Sequence, residues 1–334
     1  MEISSFVFQS FASAGNLAMI PESGEPAIAV VAGVLRDARG RVLLAQRPEG
    51  KQHAGLWEFP GGKLEPGEDA LTALARELDE ELGIEVRAAR PLLSIPCGRI
   101  VLDAWEVLSW QGRPRAREAA ALAWADPGAV DATTMPAADR PVLTALRLPD
   151  RCLVTPAVDA SGAAAFLARL ERALAAGVGL VNLRLPGMAR AEVAALARAA
   201  RELATRHAAR LLLHADWALA EVLGLDGVQL PAALARSLDS RPLPANRLVG
   251  VSCHDADELE HAARIGADFA TLSPVLPTAS HPHAAALGWS AACALIAAAR
   301  IPVYALGGLG VADIARARAG GAQGIAAIRG LWPA

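Results

Sequence analysis

Lysine is almost missing from this chain: Lys51 and Lys63 are the only two in 334 residues, and arginine supplies the rest of the basic charge. Aromatic residues make up 4% of the chain, with a single tyrosine. Cysteine is scarce as well. Cys97, Cys152, Cys253 and Cys293 are scattered with no C-x-x-C pair, which argues against structural zinc and against a disulfide framework and points to a reducing, cytoplasmic setting. No apolar run reaches the roughly 18 uninterrupted residues that a membrane span needs. The hydrophobic content of 53% and mean hydropathy of +0.31 owe much to alanine. A basic excess is also lacking, since the net charge is −3 and the pI about 6.2. Proteins that track a nucleic acid polymer usually carry a basic stripe, so neither a polymer nor a membrane is the expected partner. A single nucleotide, which needs only a few cationic groups, fits better. Self-association of the chain is left open.

The length suits two domains. The first two dozen residues lack the basic start and clean apolar core of a signal peptide. Residues 1–24 read as a disordered tail, or as a segment ahead of a working start at Met19. Ala27–Leu35 is an apolar β-type run, a turn follows at Asp37–Gly40, and Val42–Ala45 returns as a second strand. Further strands are expected at Glu85–Ala89, Leu92–Pro96, Ile100–Leu108 and Ala121–Trp124, with a closing helix at Arg140–Leu146. Pro149-Asp150 marks a domain boundary with almost no linker, dividing 25–148 from 150–334.

From Gly61 to Ile84 the chain reads GGKLEPGEDALTALARELDEELGI. A helix turns about 100° per residue, so Glu77, Glu80 and Glu81 share one face, while Leu71, Leu74, Leu78 and Leu82 form a separate apolar stripe. Gly67 and Glu68 are expected to open this helix and Gly83 to stop it in the left-handed conformation. Arg76 lies one turn from Glu80 and is placed to orient it. A solvated acidic face is the plain alternative. Three carboxylates beside a glycine loop, however, suit a hard divalent cation and phosphate oxygens. Lys63, one of two lysines, adjoins that loop.

This string resembles the Nudix box and matches it at every defining position. The resemblance implies a loop–helix–loop in an α/β/α sandwich and Mg²⁺-dependent cleavage of nucleoside diphosphates linked to another group, with Mn²⁺ as a substitute ion. The flanking Trp57-Glu58-Phe59-Pro60-Gly61-Gly62-Lys63 and Arg47 resemble the MutT-type 8-oxo-dGTP diphosphatase branch, over about Ala27 to Leu146. By position, the resemblance implies that the Gly61 carbonyl with Glu77, Glu80, Glu81 and Glu118 holds the metal. Glu77 or Glu118 is the implied base, with Arg76 in support. Arg47 is expected at the phosphates, with Trp57, Glu58, Phe59, Pro60 and Lys63 around the substrate; Trp57 and Phe59 also read as core. Where that branch has an Asn on the purine edge, this chain has Asp139. An ionised Asp only accepts hydrogen bonds, whereas a protonated one in a dry pocket imitates Asn. The plain alternative makes Asp139 a helix cap.

From Arg151 onward eight short strand candidates alternate with alanine-rich helical segments, the pattern of a compact (β/α)₈ TIM barrel, its last helix nearly missing after Gly330. A doubly wound open sheet is the alternative. The strings Leu153-Val154-Thr155, Val181-Asn182-Leu183-Arg184, Gly250-Val251-Ser252-Cys253-His254, Leu272-Ser273-Pro274 and Ala305-Leu306-Gly307-Gly308 resemble the thiamine-phosphate synthase family and its thiazole-tautomerase relatives. Arg184, Ser252, His254, Ser273, Gly307 and Gly308 are the implied ligand and phosphate contacts. Against that pattern stand Pro186 for a lysine, His214-Ala215 for Asn-Asp, Gln229 for a histidine and His281 for a lysine. Losing a metal carboxylate and two cationic groups weighs against diphosphate-displacing synthesis. The barrel therefore reads as remodelled, binding a small molecule or catalytically retired. The fusion also raises thiamine-pathway diphosphates as alternative substrates of the N-terminal domain.

Overall fold

The computed structural model describes residues 27–158, 162–278 and 285–333. The expected tail at 1–24, Met19 and His281 lie outside the described residues. The N-terminal region runs β1 (Ile28–Leu35), β2 (Val42–Gln46), β3 (Trp57–Glu58), β4 (Gly61–Lys63), α1 (Ala70–Leu82), β5 (Glu85–Cys97), β6 (Ile100–Gln111), β7 (Ala121–Ala125) and α2 (Asp139–Arg147). A mixed sheet of order β4-β1-β6-β5 stands beside a smaller one of order β3-β2-β7.

Alternation along β1 builds the sandwich. Val31 and Leu35 face Ala73, Leu74, Leu78 and Leu82 of α1, while Ala32 and Val34 face Met135 and the Val142 and Leu143 side chains of α2. Full burial of each such leucine contributes about 1.5–3 kcal/mol. The two strands expected within 85–96 are one continuous strand, broken in register near Val86, Ala88 and Pro91. It lies at the sheet edge, where the missing N–H groups of Pro91 and Pro96 are tolerated.

The C-terminal region runs β8 (Arg151–Val154), α3 (Ala163–Ala175), β9 (Leu180–Leu183), α4 (Arg190–Arg206), β10 (Arg210–His214), α5 (Trp217–Val222), β11 (Gly227–Leu230), α6 (Ala232–Ala235), β12 (Leu248–Cys253), α7 (Ala256–Arg264), β13 (Phe269–Leu272), α8 (Gly288–Ala298), β14 (Val303–Leu306), α9 (Ile314–Ala319) and β15 (Gly324–Ala327). All pairings are parallel and β15 returns to β8, so the barrel closes and the open sheet is excluded. The short α5 and α6 escaped the sequence pattern, being too brief for a helical period to show. In place of a last helix, Trp332 packs on Phe166 with ring centroids 5.1 Å apart, and the Arg169 guanidinium donates to the Pro333 carbonyl.

The chain enters the barrel through its floor, at the N-terminal ends of the strands. Leu148 packs among Cys152, Leu180, Leu212, Phe269, Tyr304 and Ala326, which fill the lower interior. The Tyr304 hydroxyl donates to the Pro149 carbonyl at 2.6 Å. Both α8 and α9 pack against β5, and Glu106 on β6 takes Arg36, Arg90 and the barrel's Arg318.

Candidate active site

The helix α1 starts at Asp69 rather than at Gly67-Glu68, because the Asp69 carboxylate accepts the Thr72 amide at 2.8 Å and caps the first turn. Gly83 ends it with φ 70° as expected. Leu71 is exposed, and Ala73 takes its place in the buried stripe with Leu74, Leu78 and Leu82.

Two glycines let the acidic face meet the β4 backbone. The Gly61 amide donates to Glu81 Oε2 at 3.0 Å. Gly61 has φ 154°, and a Cβ there would lie 2.0 Å from the Val31 carbonyl oxygen. Glu77 lies against Gly62. Burial pushes Glu81 up to about 7; the Gly61 amide opposes the shift, and the charges of Glu58, Glu77 and Glu118 add to it. Three acidic groups thus crowd one buried carboxyl.

Arg76 organises the flank. It grips Glu68 through two nitrogens at 3.0 and 2.9 Å, and reaches Glu77 at 2.9 Å, Glu80 at 3.3 Å and the Lys63 carbonyl at 3.0 Å. The Glu68 contact first, and then Glu77, hold its guanidinium far above the ordinary range. Glu68 was missed as a site residue; its fixed place in the acidic string was the available signal. Glu80 is half exposed, and Glu118 faces Lys51 at 3.4 Å on the surface. Among the described residues no three acidic, histidine or cysteine groups form a ready metal cage. Glu77 and Glu80 are turned onto Arg76, and Glu118 onto Lys51. The donor set around Gly61 is nonetheless all oxygen, and the crowding at Glu81 is what a hard dication would relieve.

The substrate-side residues divide between surface and core. Arg47 pairs with Glu58 and donates to the Gln52 carbonyl at 2.7 Å, so it is engaged rather than free. Burial raises the Glu58 carboxyl against the pull of Arg47. Phe59 is core, packed with Met135 and Val142, and Trp57 packs partly on the same cluster. Pro60 is buried, with its carbonyl taking the Gly33 amide at 2.8 Å. The Lys63 side chain is exposed. Asp139 does not cap α2. It occupies the first turn, 6% exposed, and its Oδ1 accepts the Phe59 amide at 3.0 Å. Burial pushes its carboxyl up to about 7, with the Phe59 amide opposing.

At the barrel mouth, period-two alternation sends Asn182, His214, Gln229 and Thr271 inward above the apolar floor. Asn182 Oδ1, His214 Nδ1, Gln229 Oε1 and Thr271 Oγ1 are buried there without hydrogen-bond partners. Gln229 donates to Ser252 Oγ at 3.2 Å. His254 Nδ1 lies 2.8 Å from the Ser273 carbonyl, which fixes Nδ1 as the protonated nitrogen. A cavity of about 440 Å³ is lined by Arg184, Pro186, Met188, His214 and Asp216 among others. Burial, and next Arg184, push His214 down to about 4, so it is neutral at pH 7. Gly307 and Gly308, expected at a phosphate, pack on the Pro274–Pro277 loop, where a Cβ would approach within 2.9 and 2.7 Å.

Two family models match this chain: the NUDIX domain over residues 26–146 and thiamine monophosphate synthase over residues 151–331. The CTP pyrophosphohydrolase of Escherichia coli is 44% identical over 122 residues, covering 35% of this chain and 90% of that protein. The 8-oxo-dGTP diphosphatase of Haemophilus influenzae is 39% identical over 116 residues, covering 34% and 85%. The putative thiamine-phosphate synthase of Geobacter sulfurreducens is 42% identical over 180 residues, covering 51% and 81%. The acidic loop–helix and the closed barrel thus each have their counterpart, and the chain belongs to both families: a Nudix hydrolase in its N-terminal region, fused to a member of the thiamine monophosphate synthase family.

Proposed function

We propose that the N-terminal domain hydrolyses an oxidised purine nucleoside triphosphate, 8-oxo-dGTP, to the monophosphate and pyrophosphate with Mg²⁺. The observation that carries this reading is the crowding of Glu58, Glu77 and Glu118 around the buried Glu81 at the Gly61 amide. Glu77, Glu80, Glu81, Glu118 and the Gly61 carbonyl would hold the ion, whose contribution when bound is to neutralise charge on the phosphate oxygens. Arg76 orients Glu77 and Glu80. Glu77 or Glu118 accepts the proton of the attacking water. Arg47 reaches phosphate by exchanging its Glu58 partner, and exposed Lys63 adds positive charge at the loop.

Asp139 is the proposed base contact. Ionised, its carboxylate accepts the N1–H and N2–H of guanine; neutral, it donates to one ring nitrogen and accepts from one amino group, the pattern of cytosine. A carboxyl poised near 7 supports a second reading, a cytosine nucleotide, in keeping with the name of the Escherichia coli relative. A panel of 8-oxo-dGTP, dGTP, CTP and thiamine-pathway diphosphates with product identification decides among these. Pyrophosphate release is expected, and phosphate release would favour the thiamine-pathway compounds. Asp139→Ala is expected to weaken the choice of 8-oxo-dGTP over dGTP through KM. An unchanged ratio would remove the base assignment.

The barrel is proposed as a small-molecule binding or regulatory module without synthase activity. This rests on Pro186, His214-Ala215 and Gln229 standing where the synthase pattern has charged, metal-binding or histidine groups.

A further inference from the structure

One helix joins the two halves of the molecule. At its start, Asp139 accepts the Phe59 amide, between Glu58 and the Gly61 loop. At its far end, Ala145 and Leu148 turn their carbonyls toward the barrel floor, where Gln323 Nε2 donates to them at 3.0 and 2.9 Å, with the Pro149 carbonyl at 3.5 Å. Nine residues at 1.5 Å each make α2 roughly 14 Å long. Gln323 is buried, and its own amide donates to the Val303 carbonyl at 2.9 Å, which fixes it in the barrel wall. The last carbonyls of a helix have no partner within it. Here the Leu148 amide donates to the Ala145 carbonyl at 3.2 Å, and the other domain supplies the donor to Leu148 and a second one to Ala145.

We propose that the barrel residue Gln323 is a positioning residue for the nucleotide site, holding α2 by the Ala145 and Leu148 carbonyls so that Asp139 stays seated on the Phe59 backbone. The functional half of this inference rests on the proposed base contact of Asp139; the mechanical half does not. A helix is stiff along its axis, and its middle is packed through Val142 and Leu143 into the core that also holds Phe59. Without the Gln323 amide, the buried Leu148 carbonyl loses its donor and the Ala145 carbonyl keeps only the Leu148 amide at 3.2 Å, so the helix end gains by shifting toward water. A small displacement of a contact group raises KM more than it lowers kcat when the group binds but does not react. The barrel would then serve the hydrolase as a rigid seat, whatever it binds at its mouth.

The test is Gln323→Met in the full chain, which keeps length and volume but removes the donor. Amide hydrogen exchange at Phe59 is expected to quicken about tenfold, with melting still a single transition. KM for the nucleotide is expected to rise about tenfold with kcat within about twofold, and the rise should vanish when the change is made on an Asp139→Ala background. Gln323→Lys, which returns a donor, is expected to recover most of both effects. Unchanged Phe59 exchange in Gln323→Met overturns the proposal whatever the activity. Faster exchange with unchanged KM overturns the link from clamp to substrate. Absence of nucleotide hydrolysis by the unaltered chain counts against the proposed function alone, since exchange still decides the clamp.

Discussion

The carboxylate of Glu77 lies where a side chain on Gly62 would begin: a Cβ on Gly62 would fall 2.3 Å from the Glu77 carboxyl carbon. Gly62→Ala is therefore expected to push Glu77 aside, lowering kcat about 10²-fold or more with little loss of stability. Gly61→Ala meets backbone instead of a movable side chain and should cost about 1–3 kcal/mol in stability. Steady-state kinetics beside thermal melts separate the two. Equal effects from both changes would mean the Gly62 contact is incidental.

Glu81→Gln and Glu77→Gln are each expected to lower Mg²⁺-dependent turnover by about 10²–10⁴-fold while the fold survives. Glutamine keeps the volume, and at position 81 its oxygen can still accept the Gly61 amide. Pyrophosphate release is the readout. Turnover near that of the unaltered chain in either variant would remove that residue from the metal and proton chemistry.

Asp139 gives a stability profile with a defined sign. Its folded value, raised by burial from 3.8 to about 7, means that the folded state holds a proton that the unfolded chain releases between those limits. The neutral carboxyl's contribution is complete below about pH 4 and declines as pH rises through 7, a span of about 4 kcal/mol at 1.36 per pK unit. Asp139→Asn cannot titrate. Denaturant melts across pH 4–8 should show the unaltered chain losing stability relative to this variant, and parallel curves would contradict the burial argument.

The full chain is expected not to form thiamine phosphate from the pyrimidine diphosphate and thiazole phosphate. Pro186 and Ala215 carry no charge, and His214 is neutral at pH 7. Robust turnover in a direct product assay would show that the barrel compensates for these losses.

Much of this molecule was legible in its sequence because the signals are periodic. Spacings of three and four put Glu77, Glu80 and Glu81 on one helical face, and eight apolar strands between alanine-rich helices announced the barrel. What escaped depended on partners distant in sequence. Arg76 reaches back eight residues to Glu68 in the loop before α1, which the one-turn relation to Glu80 did not suggest. Pro91 looked like a break, yet an edge strand can pass through it. Phe59 carried the look of a substrate contact and is core, offering only its amide. Gln323 sits among small residues with no local pattern; its meaning comes from carbonyls some 175 positions earlier.

The route by which the chain enters the barrel bears on metabolic traffic. Leu148 and Pro149 plug the floor, whereas His254 and Ser273 lie at the opposite rim, one strand length away, roughly 13 Å for four residues. Among the described residues, a floor so filled offers no passage along the barrel axis from the hydrolase side. A compound leaving one centre for the other would therefore travel around the barrel wall rather than through it, open to interception by a competing enzyme.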